Sequence, residues 1–200
     1  MRKTLTAALL AASLLTLAAC GNDGGHDGHN GSNIPVSEEF NQADVDFATD
    51  MIQHHAQALS MVDLTDGRDL SPELAALAEQ IRMAQGPEIE TMVDWLNEWD
   101  QPVPETMRDH ANAHGDGEME MDSDMPGMMS QEQMDDLEAA SGTEFEQMFL
   151  TMMIEHHEGA IEMAKTEQAD GEHPDAIALA EEIEKSQTAE ITTMNELLGS

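Results

Sequence analysis

From Val45 the chain alternates apolar and polar positions with helical spacing. Val45, Ala48, Ile52, His55, Leu59 and Val62 recur every three or four residues, and Phe47, Met51, His54, Ala58 and Met61 form the adjoining stripe. Together they make one broad inward face. Ser37, followed by Glu38 and Glu39, offers a cap and an acidic first turn. Asp66-Gly67 breaks the pattern, and Ser71-Pro72 opens a second helix with proline in its first turn. Leu74, Leu77, Ile81, Ile89, Met92, Leu96 and Trp99 carry that helix to a stop before Pro102. The same reading over the rest of the chain predicts four helices, near 38–64, 72–99, 143–168 and 174–198.

The second pair of helices is a copy of the first. Residues 47–61 read FATDMIQHHAQALSM and residues 149–163 read FLTMMIEHHEGAIEM, at a constant offset of 102 (156 − 54). The register holds to the end: Pro72 falls on Pro174, Gln85 on Gln187, Glu88-Ile89 on Glu190-Ile191 and Met92 on Met194. Two helical hairpins of equal length bury their stripes against each other. The expected fold is therefore all-α, a four-helix bundle with a pseudo-two-fold relation between hairpins. Repeat one covers 37–99 and repeat two 142–199, with an insert at 100–141 between them. The core is unusual: no Tyr, four Phe and many of the 17 Met, so flexible thioethers fill it.

Before the bundle, residues 1–19 read as a lipoprotein signal peptide. Arg2 and Lys3 precede an apolar run from Leu5 to Leu17, too short to span a bilayer comfortably, and Leu17-Ala18-Ala19-Cys20-Gly21 looks like a lipobox. Cys20 is the one cysteine and the expected lipidation site, followed by a flexible tether to residue 36. The mature chain is then membrane-anchored and extracytoplasmic, in a periplasm or on a cell surface. With its thiol lipidated it has no disulfide, and any metal site must use His, Met, Asp or Glu. The net charge of −35 excludes nucleic acid as a partner. It fits either an acidic surface adapted to salt or a field that gathers cations.

These constraints bear on the histidines. Adjacent residues on a helix lie about 100° apart, so both rings of His54-His55 and of His156-His157 can sit on the inward face. The hairpin geometry sets the first pair opposite Met83 and Gln85 and the second opposite Ile183 and Gln187. Met51, Met61, Met153 and Met163 lie a turn or two away. Imidazole with thioether suits copper, Cu(I) or Cu(II). The competing reading is a buried polar layer, the rings hydrogen-bonded to Gln85, Glu88, Gln187 or Glu190. Met92 and Met194 read as core. The insert is a second candidate: Met107, His110, His114, Met119, Met121, Met125, Met128 and Met129 stand among acids with no evident core to fill, as a copper-capturing loop or a neutral linker. His26 and His29 echo it weakly in the tether.

The doubled F-x-x-x-M-I-x-H-H-x-x-A-x-x-M pattern resembles the domain-of-unknown-function family 305. It rests on Phe47, Met51, His54, His55, Ala58 and Met61 with Phe149, Met153, His156, His157, Ala160 and Met163, and the likeness covers about 37–199. The resemblance implies a ferritin-like, exported protein in a family that includes copper-binding members. The leading expectation is copper sequestration by a non-enzyme. A di-iron oxidase is the enzyme alternative, but its Glu-x-x-His motif is absent: Glu88 is followed by Thr91 and Glu190 by Thr193. A surface interaction module with structural histidines is the third.

Overall fold

The computed structural model describes residues 39–106, 108 and 125–199. Cys20, the tether with His26 and His29, Met107, His110, His114, Met119 and Met121 lie outside the described residues. Five helices and no strand occur among the described residues: α1 (Gln42–Asp63), α2 (Pro72–Glu98), α3 (Gln131–Ala139), α4 (Gly142–Asp170) and α5 (Pro174–Leu198). The long four are the expected bundle. α1 pairs with α2 and α4 with α5, and the two hairpins meet chiefly along α1 and α4. The short α3 belongs to the insert.

Helix starts follow from local chemistry, with one correction. α1 begins at Gln42, not near Ser37, because Asn41 and Asp44 form a reciprocal capping box. Asn41 Oδ1 accepts from the amides of Ala43 (2.7 Å) and Asp44 (3.2 Å), and the Asn41 amide donates to Asp44 Oδ2 at 2.6 Å. Ser71-Pro72 starts α2 as the sequence indicates, the Ser71 hydroxyl accepting from the Leu74 amide. His173 caps α5, its Nδ1 accepting from the Ala176 amide.

Buried apolar residues form two clusters rather than one. The first joins the C-terminal half of α1 (Ala58, Met61, Val62) to the N-terminal half of α4 (Phe145, Phe149, Met153). The second joins the N-terminal half of α1 (Val45, Phe47, Met51, Ile52) to the C-terminal half of α4 (Ala160, Ala164). α1 and α4 are thus antiparallel, and the histidine pairs fall in the gap between clusters. Phe40, Trp95 and Trp99 close one end, Phe40 stacked on Trp99 with centroids 4.7 Å apart. Arg68 ties the other: its guanidinium lies 4.0 Å over the Phe145 ring and donates to the carbonyls of Ala140 and Glu138.

The insert is less free than its composition implies. Met129 is fully buried in the first cluster with Met134 and Leu137 of α3, and Met125 is buried as well. Those two thioethers fill core, contrary to the expectation that the insert has none to fill. Composition hid this because α3 is short and its stripe has only two apolar positions. Ser130 and Gln133 form a capping box that starts α3 and so fixes where the loop returns.

Asp44 does more than cap. Buried entirely, it also accepts from the backbone amides of Glu172 (3.1 Å) and His173 (2.8 Å), fastening the α4–α5 turn to the start of α1. Glu167 lies beside it, buried, with no N–H reaching either carboxylate oxygen. Burial, reinforced by the Asp44 charge, pushes the Glu167 carboxyl from 4.5 up to about 8, so at neutral pH it holds a proton and donates it to Asp44. In the unfolded chain that group is ionised above 4.5. Between about pH 4.5 and 8 the folded state therefore binds a proton that the unfolded state lacks, and this contribution to stability falls as pH rises. Glu167→Gln, which keeps a donor and cannot ionise, is expected to be more stable than the parent at pH 8 and to lose less stability between pH 5 and 8. Urea unfolding midpoints across that range check it, and equal slopes in the two proteins would remove the acid pair from the account.

Candidate metal centre

The gap between the apolar clusters is a layer of buried polar side chains. His54, His55, His156 and His157 are each 0 % exposed, and Gln85 and Gln187 are 2 % exposed. Helical spacing brings the histidines there. Each pair lies between apolar positions facing one cluster (Ile52, Met153) and apolar positions facing the other (Ala58, Ala160).

Within the layer the two members of each pair do different things. His55 Nε2 bonds to Glu88 Oε2 at 2.7 Å, and its repeat counterpart His157 Nε2 bonds to Glu190 Oε2 at 2.7 Å. Both carboxylates come from the second helix of the same hairpin. Glu190 also accepts from Gln80 Nε2 at 3.0 Å, linking α5 to α2. The polar-layer reading is thus right for these outer contacts, with glutamate and not glutamine as the partner. Gln85 and Gln187 are buried with both amide atoms unpartnered. The sequence placement of Met83 opposite the first pair is wrong. Met83 is 70 % exposed, because the inward face of α2 runs through Ile81, Gln85 and Met92.

The inner members meet each other. The rings of His54 and His156 lie with centroids 3.8 Å apart and tilted by 41°. His54 Nε2 bonds to the carbonyl of Pro126 at 3.0 Å; a carbonyl only accepts, so Nε2 carries the proton. His156 has no partner on either ring nitrogen, and the Nδ1 atoms of His54, His55 and His157 are unpartnered too. Burial, helped by His55, pushes His54 down to about 3; burial, then His54, holds His156 well below its usual range. His157 is lowered by burial against the opposing pull of Glu190. These three rings are neutral at pH 7 and so retain lone pairs. A ring whose Nε2–H is held by a carboxylate or carbonyl while Nδ1 stays free matches the way protein scaffolds orient metal-ligating histidines. Among the described residues no three His, Cys, Asp or Glu side chains surround a common point. What is assembled is a two-imidazole contact flanked by oriented rings.

The methionines are distributed otherwise. Met51 is buried in the second cluster, and Met61 and Met153 in the first, on opposite sides of the layer. Met163 is half-buried and lines a cleft of about 420 Å³ with Asp46, Asp50, Glu162 and Asp170. Met92 and Met194 are core, as expected. Met128 is half-buried at the end of the insert. The structure gathers the four histidines and leaves the thioethers above and below.

Sequence reasoning missed the part of the insert that reaches the layer. Pro126 supplies the carbonyl to His54, and the Met129 backbone makes two bonds to the Gln57 side chain, 2.7 and 2.8 Å. A signal was present: the repeats differ at this position, Gln57 against Gly159.

Residues 44–198 match the sequence family DUF305, a domain of unknown function. The chain belongs to the DUF305 family. A DUF305 fragment from Deinococcus radiodurans is similar at 30 % identity with a TM-score of 0.67, over 80 % of this chain and 98 % of that one. A DUF305 protein from Streptomyces coelicolor, described as secreted, is similar at 30 % identity and a TM-score of 0.68, over 82 % and 94 %. CopM in its Cu(II)-bound form is similar at 30 % identity and a TM-score of 0.63, over 78 % and 95 %, and CopM also exists in Cu(I)-bound and silver-bound forms. No functionally curated protein matches in sequence. The all-α bundle expected from the repeats is thus the fold of the DUF305 family.

The neutral imidazoles give apo stability a pH dependence of definite sign. In the unfolded chain each ring takes a proton near pH 6.5, while in the fold His54 does so only near 3. Stability from these rings is complete above about pH 6.5 and falls as pH drops below it, opposite in sign to the Glu167 contribution. Replacing one of them with an apolar residue, His156→Leu, is expected to flatten the loss between pH 6.5 and 4.5. Denaturant midpoints of parent and variant at matched pH measure this; an unchanged slope would mean that His156 is protonated in the fold.

Proposed function

We propose that this chain is a lipid-anchored, extracytoplasmic copper-binding protein that lowers the free concentration of the ion outside the cytoplasm, without catalysing a reaction. The observation that carries the reading is His156, wholly buried, with neither ring nitrogen partnered and its face against His54. A neutral imidazole so placed leaves a buried N–H and a buried lone pair unsatisfied, which costs roughly 1–3 kcal/mol per group. An ion held by the His54–His156 pair supplies a partner for the lone pairs. The rings of His55 and His157, fixed by Glu88 and Glu190, stand beside it.

The donor chemistry supports a soft ion. Imidazole serves both copper oxidation states and thioether favours Cu(I), and buried Met51 and Met153 stand one turn before the pairs. CopM, at 29–30 % identity, has been captured with Cu(I), Cu(II) and silver. The Met- and His-bearing insert is a second region of the same chemistry, suited to weaker capture. Export is supported by the secreted relative and by the lipobox that ends at Cys20. The di-iron alternative is not favoured: the Glu-x-x-His motif is missing, and Glu88 and Glu190 each turn toward a histidine of the same hairpin. The structural reading is favoured by specific observations for His55, His157 and His54, whose Nε2 atoms are held by Glu88, Glu190 and the Pro126 carbonyl.

Metal titration of the untagged mature protein with Cu(I) and Ag(I) tests this. His54→Ala combined with His156→Ala is expected to weaken the tightest site at least tenfold while the insert still binds. The single changes His55→Ala and His157→Ala are expected to cost about 1–3 kcal/mol of apo stability by leaving Oε2 of Glu88 or of Glu190 without its partner. A double variant that titrates like the parent would reduce the four histidines to packing. For the anchor, Cys20→Ala is expected to move the protein out of the membrane fraction, and retention there would refute lipidation at that residue.

A further inference from the structure

Residues 125–130 lie as a strap across α1 and α4 at the level of the inner histidines. Three hydrogen bonds hold it: His54 Nε2 to the Pro126 carbonyl, Gln57 Nε2 to the Met129 carbonyl, and the Met129 amide to Gln57 Oε1. Two glycines make its berth. A Cβ on Gly159 would stand 2.0 Å from the Pro126 oxygen, and one on Gly127 would stand 2.6 Å from the Glu155 carbonyl. Gly127 also has φ +75°, which side-chain-bearing residues rarely adopt. The strap's own Met125 and Met129 are buried, and α3 follows at once through the Ser130 cap.

The seat occupies one side of the duplication only. Positions 57 and 159 are repeat equivalents, and the first became a side chain that grips the strap while the second became the gap that admits it. Both positions sit three residues after the first histidine of their pair. On its outer side Pro126 lines the acidic cleft with Asp46, Asp50 and Glu162. The strap therefore separates a cation-attracting groove from the His54–His156 contact.

We propose that the 125–130 strap governs entry of the ion to the His54–His156 pair, an inference that rests on the metal-binding reading above. Closed, the peptide covers the approach from the cleft, while the Pro126 carbonyl holds the His54 Nε2–H and leaves Nδ1 as the donor atom. Loading requires the strap to lift, which breaks its three hydrogen bonds and exposes Met125 and Met129. Gln57 and Gly159 are positioning residues, since they set the strap and contribute no atom to the ion. Loosening the strap consequently speeds uptake and release together and moves affinity far less than either rate.

The test uses the full mature chain and two variants that loosen the strap by different means. Gln57→Ala deletes both bonds to Met129, and Gly159→Ala drives a methyl group against Pro126. The metal-free readout is carbethoxylation of His54 and His156 by diethyl pyrocarbonate, resolved by peptide mass spectrometry. The metal readout is stopped-flow uptake and release of Ag(I). Both variants are expected to accelerate all of these at least tenfold. In the parent, uptake at saturating Ag(I) is expected to level off at the opening rate given by hydrogen exchange of the Met129 amide. Should either variant fail to fold, that comparison in the parent still decides the matter. Unchanged reactivity and unchanged Ag(I) rates in a folded variant, or parent uptake far faster than Met129 exchange, would overturn the proposal. Faster carbethoxylation with no Ag(I) bound by any chain would uphold strap-controlled access while removing the metal reading beneath it.

Discussion

Four imidazoles with no exposed surface, at the crossing of two antiparallel helices, are the constraint around which this bundle is arranged. They divide what would be one core into two apolar clusters and draw partners for some of their polar atoms from the surrounding elements. Glu88 and Glu190 answer for the outer rings, drawn in from the second helix of each hairpin. Pro126 answers for His54 from the insert. His156 has no well-formed hydrogen bond on either ring nitrogen and meets only His54, through its ring and the pull of its backbone. A core meant only to be stable would have used leucine at such a position, because a buried polar group without a partner costs more than an apolar one of similar size.

Duplication explains the symmetry of the layer, and divergence explains why it is usable. Two identical hairpins would give a sealed centre with equivalent faces. The change to Gln57 on one side and Gly159 on the other opens a seat for a peptide on a single face. The insert is thereby tied into the core through Met125 and Met129. The insert and the buried layer are in this sense one apparatus, joined at Pro126.

The helices were legible because an apolar stripe of period 3.6 leaves little choice of fold, and the repeat supplied the same answer twice. The start of α1 was misplaced by a few residues because acidic residues after Ser37 look like a first turn, whereas the reciprocal Asn41–Asp44 box satisfies two orphan amides at once. The histidine pairs could be singled out from spacing and duplication. Their division into inner and outer roles could not, since periodicity names the face of a helix and not the neighbour across it. The same limit hid Glu167, whose unusual state arises only when the α4–α5 turn closes on Asp44. Composition misled most in the insert, where Met129 reads as one more exposed thioether and is in fact core.

Charge adds a last condition. The chain carries −35, and the described arginines are spent at joints near one end of the bundle: Arg68 on backbone carbonyls, Arg82 and Arg108 on Asp63. The surface as a whole is left to attract cations of any kind. At 0.15 M salt that attraction is screened beyond about 8 Å, and in a saltier medium sooner. Abundant hard cations occupy such a field as readily as a scarce soft one, so it cannot by itself select. Selection has to occur where water and salt are absent and where nitrogen and sulfur outnumber oxygen. On the copper-binding reading proposed above, that place is the interior of the layer, so the route past Pro126 matters more to discrimination than the acidity outside it.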